Sequence, residues 1–434
     1  MKRAALLPAV LVVASFSFVS CGGAYSSSTS LATRVLASQS VSSPTAAPGL
    51  VLINGEDDTL VRGGVSAGNS PGLMTLTPDR TIVLAFDSST NNVEIVSPQR
   101  ASLSGNIQLA GPTTSMVALA TGIGYAAVPT APRNNGPAPG AIEVMNLTAG
   151  GIIATLSVPG AQTVVSSPDG THLLVFSNDS DVVTIVYPLF VNTDTPATAT
   201  VPGFDRPTYG VFSADGSTAY IMNCGPECSS GTATASVQTL DMRTLTVGAR
   251  VAVDGATIGW LSGSTLYVAG TPTASVGNPA PNNSCAGQAT AAPTCGRLDV
   301  VDVGSMTVTS SAIITDGYHW RIDMSINGQL FIGSYTCSNI GNVNAPQGEV
   351  RGCLSIYNTT NAAVVIPPDN GDVTGLQSFT SRDVEYVAEG GNLRVYDTLI
   401  DSLLLDNNNN PNLPETGTII ITGYIIDVKA IDFF

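Results

Sequence analysis

The sequence predicts an all-β fold, a β-propeller of four-stranded blades, eight by repeat count with seven as the alternative. Three observations predict it. From Leu50 onward no long amphipathic helix is visible, whereas short β-branched and aromatic runs recur between Gly, Pro, Asn and Asp turns. Apolar segments end at a recurring glycine, at Gly68, Gly111, Gly160, Gly203, Gly255, Gly317, Gly371 and Gly423, with successive gaps of 43, 49, 43, 52, 62, 54 and 52 residues. A period of ~40–50 residues with four strands per unit is the signature of a propeller blade. The units also align internally, each glycine being followed by a strand, a turn and a second strand.

The turns lie at Pro78-Asp79-Arg80, Thr121-Gly122, Pro168-Asp169-Gly170, Ala214-Asp215-Gly216, Ser262-Gly263, Asn327-Gly328 and Ser381-Arg382-Asp383. Second strands follow, as in Thr171–Phe176 and Thr218–Met222, then third strands such as Val237–Asp241, Leu298–Asp302 and Leu393–Asp397. Seven units are complete. An eighth is split, with Leu50–Gly68 expected to supply its second to fourth strands and Tyr424–Phe434 its first. Pairing the two ends leaves no open sheet edge.

Composition limits function. The 434 residues include 16 Lys or Arg and 32 Asp or Glu, a net charge of −16. Nothing here neutralises a phosphate backbone, so nucleic-acid binding is excluded. The 44 Gly and 27 Pro follow no G-X-Y period, and 43% hydrophobic content suits a folded core, which sets aside collagen and wholesale disorder.

Three segments follow. Residues 1–20 carry Lys2 and Arg3, then an apolar run from Ala4 to Val13 too short to span a bilayer, and read as a signal peptide. Phe18-Val19-Ser20-Cys21 resembles a bacterial lipobox, with Phe18 where Leu is usual; the resemblance implies lipidation at Cys21 and attachment to the cell envelope, at the outer membrane or surface. An ordinary secretory signal is the alternative. Residues 21–48, rich in Ser, Thr, Ala and Pro, read as a flexible tether, and residues 49–434 as the propeller. Removing the signal leaves one lysine, Lys429.

Ser167-Pro168-Asp169-Gly170, Ser213-Ala214-Asp215-Gly216, and third strands ending in Asp241, Asp302 and Asp397 resemble the bacterial lactonase-like and YVTN-type surface propellers. The resemblance covers roughly residues 50–434 by architecture and rests on turn chemistry. It bears on fold more than on activity.

In an antiparallel meander the second-to-third loops share a face with the glycine turns. Four of these loops are long, Pro129–Gly140, Asn223–Ser236, Thr271–Arg297 and Tyr335–Gly352, and unstructured loops of that length are uncommon unless used. Beyond Cys21, five cysteines fall in the last three and Cys353 directly follows the last. The simplest pairing is within each loop, Cys224–Cys228, Cys285–Cys295 and Cys337–Cys353, as an oxidising envelope permits. Zinc is the competing reading, but no His flanks these cysteines.

With two histidines in the chain, catalytic options are few. Tyr318, His319, Trp320 and Arg321 follow a glycine turn on the face of the bridged loops, and Asp205, Arg206 and Tyr209 hold the equivalent place two units earlier; these are the candidate binding residues. Arg321, Asp323 and Ser325 on one inner strand, with Asp427 and Lys429 on another, read as compensating charges lining a channel. Gly64-Val65-Ser66-Ala67-Gly68 matches a nucleophile elbow but lacks the following helix, and Asp406–Asn412 lacks the Gly and Glu of a calcium loop. No P-loop, dinucleotide fingerprint or HExxH occurs, so neither cofactor nor metal is expected. Two functions follow: a monomeric, non-enzymatic envelope propeller binding a protein or glycan, or a lactonase-like or other hydrolase using the channel mouth.

Overall fold

A computed structural model describes residues 31–40, 49–132, 138–195, 197–228, 234–272, 295–337, 352–367, 371–404, 418–421 and 423–432. Eight antiparallel sheets are arranged as an eight-bladed propeller. Seven blades run in chain order from the inner to the outer strand, with inner strands at Pro71–Leu76, Ser115–Ala118, Ala161–Ser166, Pro207–Phe212, Ile258–Ser262, Tyr318–Met324 and Val373–Ser378. They are numbered 1 to 7 here. Blade 7 carries an additional short strand, Thr418–Ile419, paired to its third strand.

The closing blade combines both ends of the chain. Its inner strand is Tyr424–Asp432, followed outward by Thr33–Ser40, Val51–Asn54 and Thr59–Leu60. This corrects the reading of residues 21–48 as tether throughout and of Leu50–Gly68 as three strands. Thr33–Ser40 is the second strand, in register with the C-terminal strand through Val35↔Ala430, Leu36↔Lys429 and Ala37↔Val428. Composition misled because the segment's Ser and Thr content looks solvated, while its stabilising partners lie almost 400 residues away. Val35, Leu36 and Ala37 are fully buried, and Arg34 is buried with its Nη1 donating to the Pro98 carbonyl of blade 1. Burial of each large apolar side chain contributes about 1.5–3 kcal/mol.

The core is a ring of inter-blade layers. Each apolar cluster draws on two neighbouring blades: Leu84, Val93 and Ala126 between blades 1 and 2, or Phe331, Leu354 and Val387 between blades 6 and 7. Both faces of every sheet are therefore buried, and second and third strands read as nearly continuous apolar runs such as Val83–Asp87.

The turns form as their chemistry demands. Asp169 Oδ1 accepts Thr171 N–H at 3.0 Å and the Ser167 hydroxyl at 2.6 Å, while Gly170 takes φ +68°. Asp215 repeats this, and the bonds from Ser213 and Ser217 hold its pKa down to about 2. At Gly317, φ is +95° and a Cβ would lie 2.6 Å from the Tyr335 carbonyl oxygen, so only glycine fits. Opposite the glycine face, Asp58 of the closing blade receives both terminal nitrogens of Arg382 at 2.8 Å and the Tyr386 hydroxyl, tying the closing blade to blade 7. Burial alone would lower the Arg382 pKa, but the bonds and charge of Asp58 carry it above its usual value.

The domain boundary is testable by truncation. A chain beginning at residue 31 is expected to give a soluble, β-rich protein with a cooperative melt. One beginning at residue 49 lacks Thr33–Ser40, opens the ring and is expected to aggregate, as size-exclusion chromatography and circular dichroism would show.

Candidate functional site

The glycine turns and the described ends of the long loops gather at one face, where the inner strands begin around a central cavity of about 1110 Å³. Bulges shape its wall. Register slips by one residue at Gln162, Thr208, Trp320 and Thr374, in blades 3, 4, 6 and 7. All four line the cavity. A bulge re-aims the extra residue and sharpens the local twist, which places one side chain per inner strand at the mouth. Several also stitch neighbouring blades: Thr208 Oγ1 donates to the Thr257 carbonyl at 3.0 Å, and Trp320 Nε1 to the Val373 carbonyl at 2.8 Å.

The candidates from blade 6 separate into three roles. Trp320 and Arg321 line the cavity, with the guanidinium carbon 4.0 Å from the Trp320 ring centre. Arg321 Nε donates to the Thr374 carbonyl at 2.8 Å. Burial lowers the Arg321 pKa, opposed by Asp427 and Tyr209. Tyr318 and Trp320 both pack on Tyr335, with ring centres 5.3 Å apart in each pair. His319 does not present its imidazole to a ligand: the residue is wholly buried, and Nε2 lies 3.0 Å from the Thr315 carbonyl. Burial depresses its pKa to about 4 despite that bond, so the ring is neutral at pH 7.

The blade 4 candidates divide as well. Tyr209 lines the cavity, and burial raises its pKa although Arg321 opposes this. Arg206 lines it too, but reaches back to blade 3, with Asp179 at 3.6 Å and Asp181 at 3.8 Å. Asp205 is outside the lining; its N–H donates to Asn223 Oδ1 at 3.3 Å, and its role is to shape the turn.

Two channel charges singled out as merely compensating stand beside Arg321. Lys429 Nζ donates to Asp427 Oδ1 at 3.0 Å, and both residues line the cavity. Asp323, by contrast, is closed off by Met324 N–H at 2.9 Å and Ser378 N–H at 2.7 Å.

Cys224 is bonded to Cys228 and Cys337 to Cys353, both at this face. Cys295 is disulfide-bonded, but Cys285 lies outside the described residues, as do Cys21 and Asp406–Asn412. Sequence reasoning missed Glu227, which sits inside the first small loop. Its Oε1 accepts Thr271 N–H at 2.7 Å, fastening the short bridged loop of blade 4 to blade 5. Burial pushes its pKa up to about 8 against the lowering by the Thr271 and Ala256 N–H groups. A carboxyl enclosed between two cysteines was the available signal.

Comparison with known proteins leaves the family open. No family model matches the sequence, and no curated protein does either. Solved structures match in fold. A dihydro-heme d1 dehydrogenase, NirN, aligns over 93% of this chain and 75% of its own at 9% identity with a TM-score of 0.59. The computationally designed Ika8 protein aligns over 84% and 96% at 11% identity and 0.53. The β-propeller domain of Cps50 (Swd1) from Myceliophteria thermophila aligns over 76% and 94% at 10% identity and 0.50. At such identities the likeness shows the propeller alone.

Opposite pH dependences follow from the two shifted groups. Stability associated with neutral His319 is full above pH 6.5 and lost as pH falls toward 4. Protonated Glu227 contributes fully below pH 4.5, and its contribution is lost as pH rises through about 8. Replacing Glu227 by Gln keeps an acceptor for Thr271 N–H without the titration. Thermal melts are expected to coincide for the variant and the parent near pH 5 and to separate by several degrees at pH 8.5, the variant melting higher.

Proposed function

We propose that the chain is a non-enzymatic bacterial envelope propeller of the lactonase-like and YVTN-type surface kind, lipid-anchored at Cys21, which captures a glycan partner at its bridged loop face. The observation that carries this reading is the cavity of about 1110 Å³ opening at that face. Its wall is rich in hydroxyl and amide groups, among them Thr75, Ser115, Gln162, Thr163, Thr208 and Thr374, with Trp320, Tyr318 and Tyr209 beside them. Apolar rings interleaved with donors and acceptors match a sugar, which offers C–H faces and a rim of hydroxyls.

A hydrolytic use of the mouth is the second reading, supported by Glu227, a carboxyl held protonated at neutral pH beside the bridged face. Lactone hydrolysis by the parent, abolished in Glu227→Gln, would favour it.

The binding reading is tested by filling the mouth. Gln162 is a bulge residue of the wall whose Oε1, among the described residues, accepts only from the exposed Asn178 amide at 3.0 Å. Gln162→Trp is expected to weaken capture of envelope glycans on an array by at least about tenfold, near 1.4 kcal/mol, with an unchanged melt. Equal capture by the blocked variant would overturn the site.

Anchoring is tested separately. Cys21→Ala is expected to move the protein from the membrane fraction to the soluble fraction, and mass spectrometry of the parent to find acyl chains on Cys21. An unmodified N-terminus elsewhere would overturn the anchor.

A further inference from the structure

The Arg321 side chain is only partly used by the fold. Its Nε is committed to the Thr374 carbonyl and its face to Trp320, but Nη1 and Nη2 meet no acceptor among the described residues. The carboxylate that most influences it, Asp427, is already engaged. Asp427 Oδ1 accepts Lys429 Nζ at 3.0 Å and Val428 N–H at 2.8 Å, and Oδ2 accepts Met74 N–H at 2.8 Å. Lys429 spends one of its three protons there. Two cations therefore face one cavity with donors to spare.

The charges along the wall support the same conclusion. Its cations are Arg206, Arg321 and Lys429, and its anions Asp179, Asp372 and Asp427. Arg206 is matched by Asp179 and Asp181, and Asp372 accepts Thr336 N–H at 2.8 Å. A backbone N–H leaves the charge of Asp372 in place, so the wall carries three cations and three anions, and Arg321 and Lys429 are the two cations with donors still open. A guanidinium edge with two parallel N–H donors is the geometric complement of a planar carboxylate, and in a wall whose charges balance a monoanion leaves less uncompensated charge than a phosphate dianion. The net charge of −16 also opposes a polyanion.

We propose that Arg321 and Lys429 form a subsite for the carboxylate of a hydroxylated organic acid of the sugar-acid class, whether free or as a glycan residue. The proposal rests on the glycan-binding reading and names the group by which the ligand is fixed. Arg321 supplies a bidentate pair, Lys429 a third donor, and the Thr, Ser and Gln wall meets the hydroxyls.

Isothermal titration of the full chain with D-gluconate, D-glucose and inorganic phosphate, at pH 7 and low salt, tests it. Gluconate is expected to bind at least about tenfold more tightly than glucose or phosphate. Arg321→Lys, which keeps the charge but not the fork, should weaken gluconate about tenfold. Gluconate that fails to bind, binds no better than glucose, or is matched by phosphate overturns the subsite. So does an unaltered affinity in a folded Arg321→Lys variant; should that variant unfold, the three-ligand comparison on the parent decides. The two readings fail separately: equal binding of glucose and gluconate, both blocked by Gln162→Trp, refutes the carboxylate subsite and keeps the glycan site. A gluconuronide-free glycan captured on the array while free gluconate is ignored does the same.

Discussion

The pairing of Thr33–Ser40 with Tyr424–Asp432 is the constraint on which the rest of this structure depends. A four-stranded blade is apolar on both faces and cannot be satisfied by one neighbour. Seven blades in an open arc would leave blade 1 and blade 7 each with a bare face. The closing blade covers both, packing Leu36 and Leu52 toward Met74 and Val83, and Val35 and Ile53 toward Phe379 and Tyr386. Alternation along one strand thus serves two interfaces. Asp58, Arg382 and Tyr386 close the same seam on the far side with buried charge, where loss of one partner would strand the others.

Closure also determines where chemistry can lie. Because the C-terminal strand is the innermost of its blade, Asp427 and Lys429 enter the channel at the last possible point in the chain. They stand beside Arg321 and Asp323, with blade 7 between. These blades also carry the shortest outer strands, Thr59–Leu60, Val364–Val365 and Ser402–Leu403. The opposite wall, from blades 1 to 3, offers hydroxyls, apolar groups and Asp179 but, among the described residues, no lysine or arginine to the cavity. A ring built from similar repeats therefore carries its cations on one side.

What was legible in the sequence was whatever is encoded locally. Gly170, Asp169 and Ser167 specify a turn by themselves, so the blade period and the turns could be read directly. Thr33–Ser40 could not, because its partners are remote and its composition resembles a linker. The site was legible in part for the same reason. The register of Trp320 and Arg321 after Gly317 places them at the face, but whether a side chain there points into the cavity depends on a bulge, which is a relation between two strands. His319, one residue earlier, is buried, with its Nε2 at the Thr315 carbonyl. Arg206 and Asp205 were inseparable by sequence, yet only Arg206 reaches the cavity wall. Glu227 owes its raised pKa to burial against the neighbouring blade, which outweighs the lowering by the Thr271 and Ala256 N–H groups and which no local pattern records.

The charge balance has a consequence for how a ligand would arrive. The chain carries −16 overall, yet its channel presents Arg321 and Lys429. At physiological ionic strength the field of the surface acids is screened beyond about 8 Å, whereas hydrogen bonds made inside a partly desolvated cavity are screened far less. Long-range repulsion thus acts on approach and grows with the number of charges on the ligand, while the local donors act only after entry. The two together select against long acidic polymers and for single carboxylates set among hydroxyls. Selectivity of this kind comes from placing two cations with open donors in a charge-balanced cavity within a strongly acidic ring, and it requires the fixed inner strands that closure supplies.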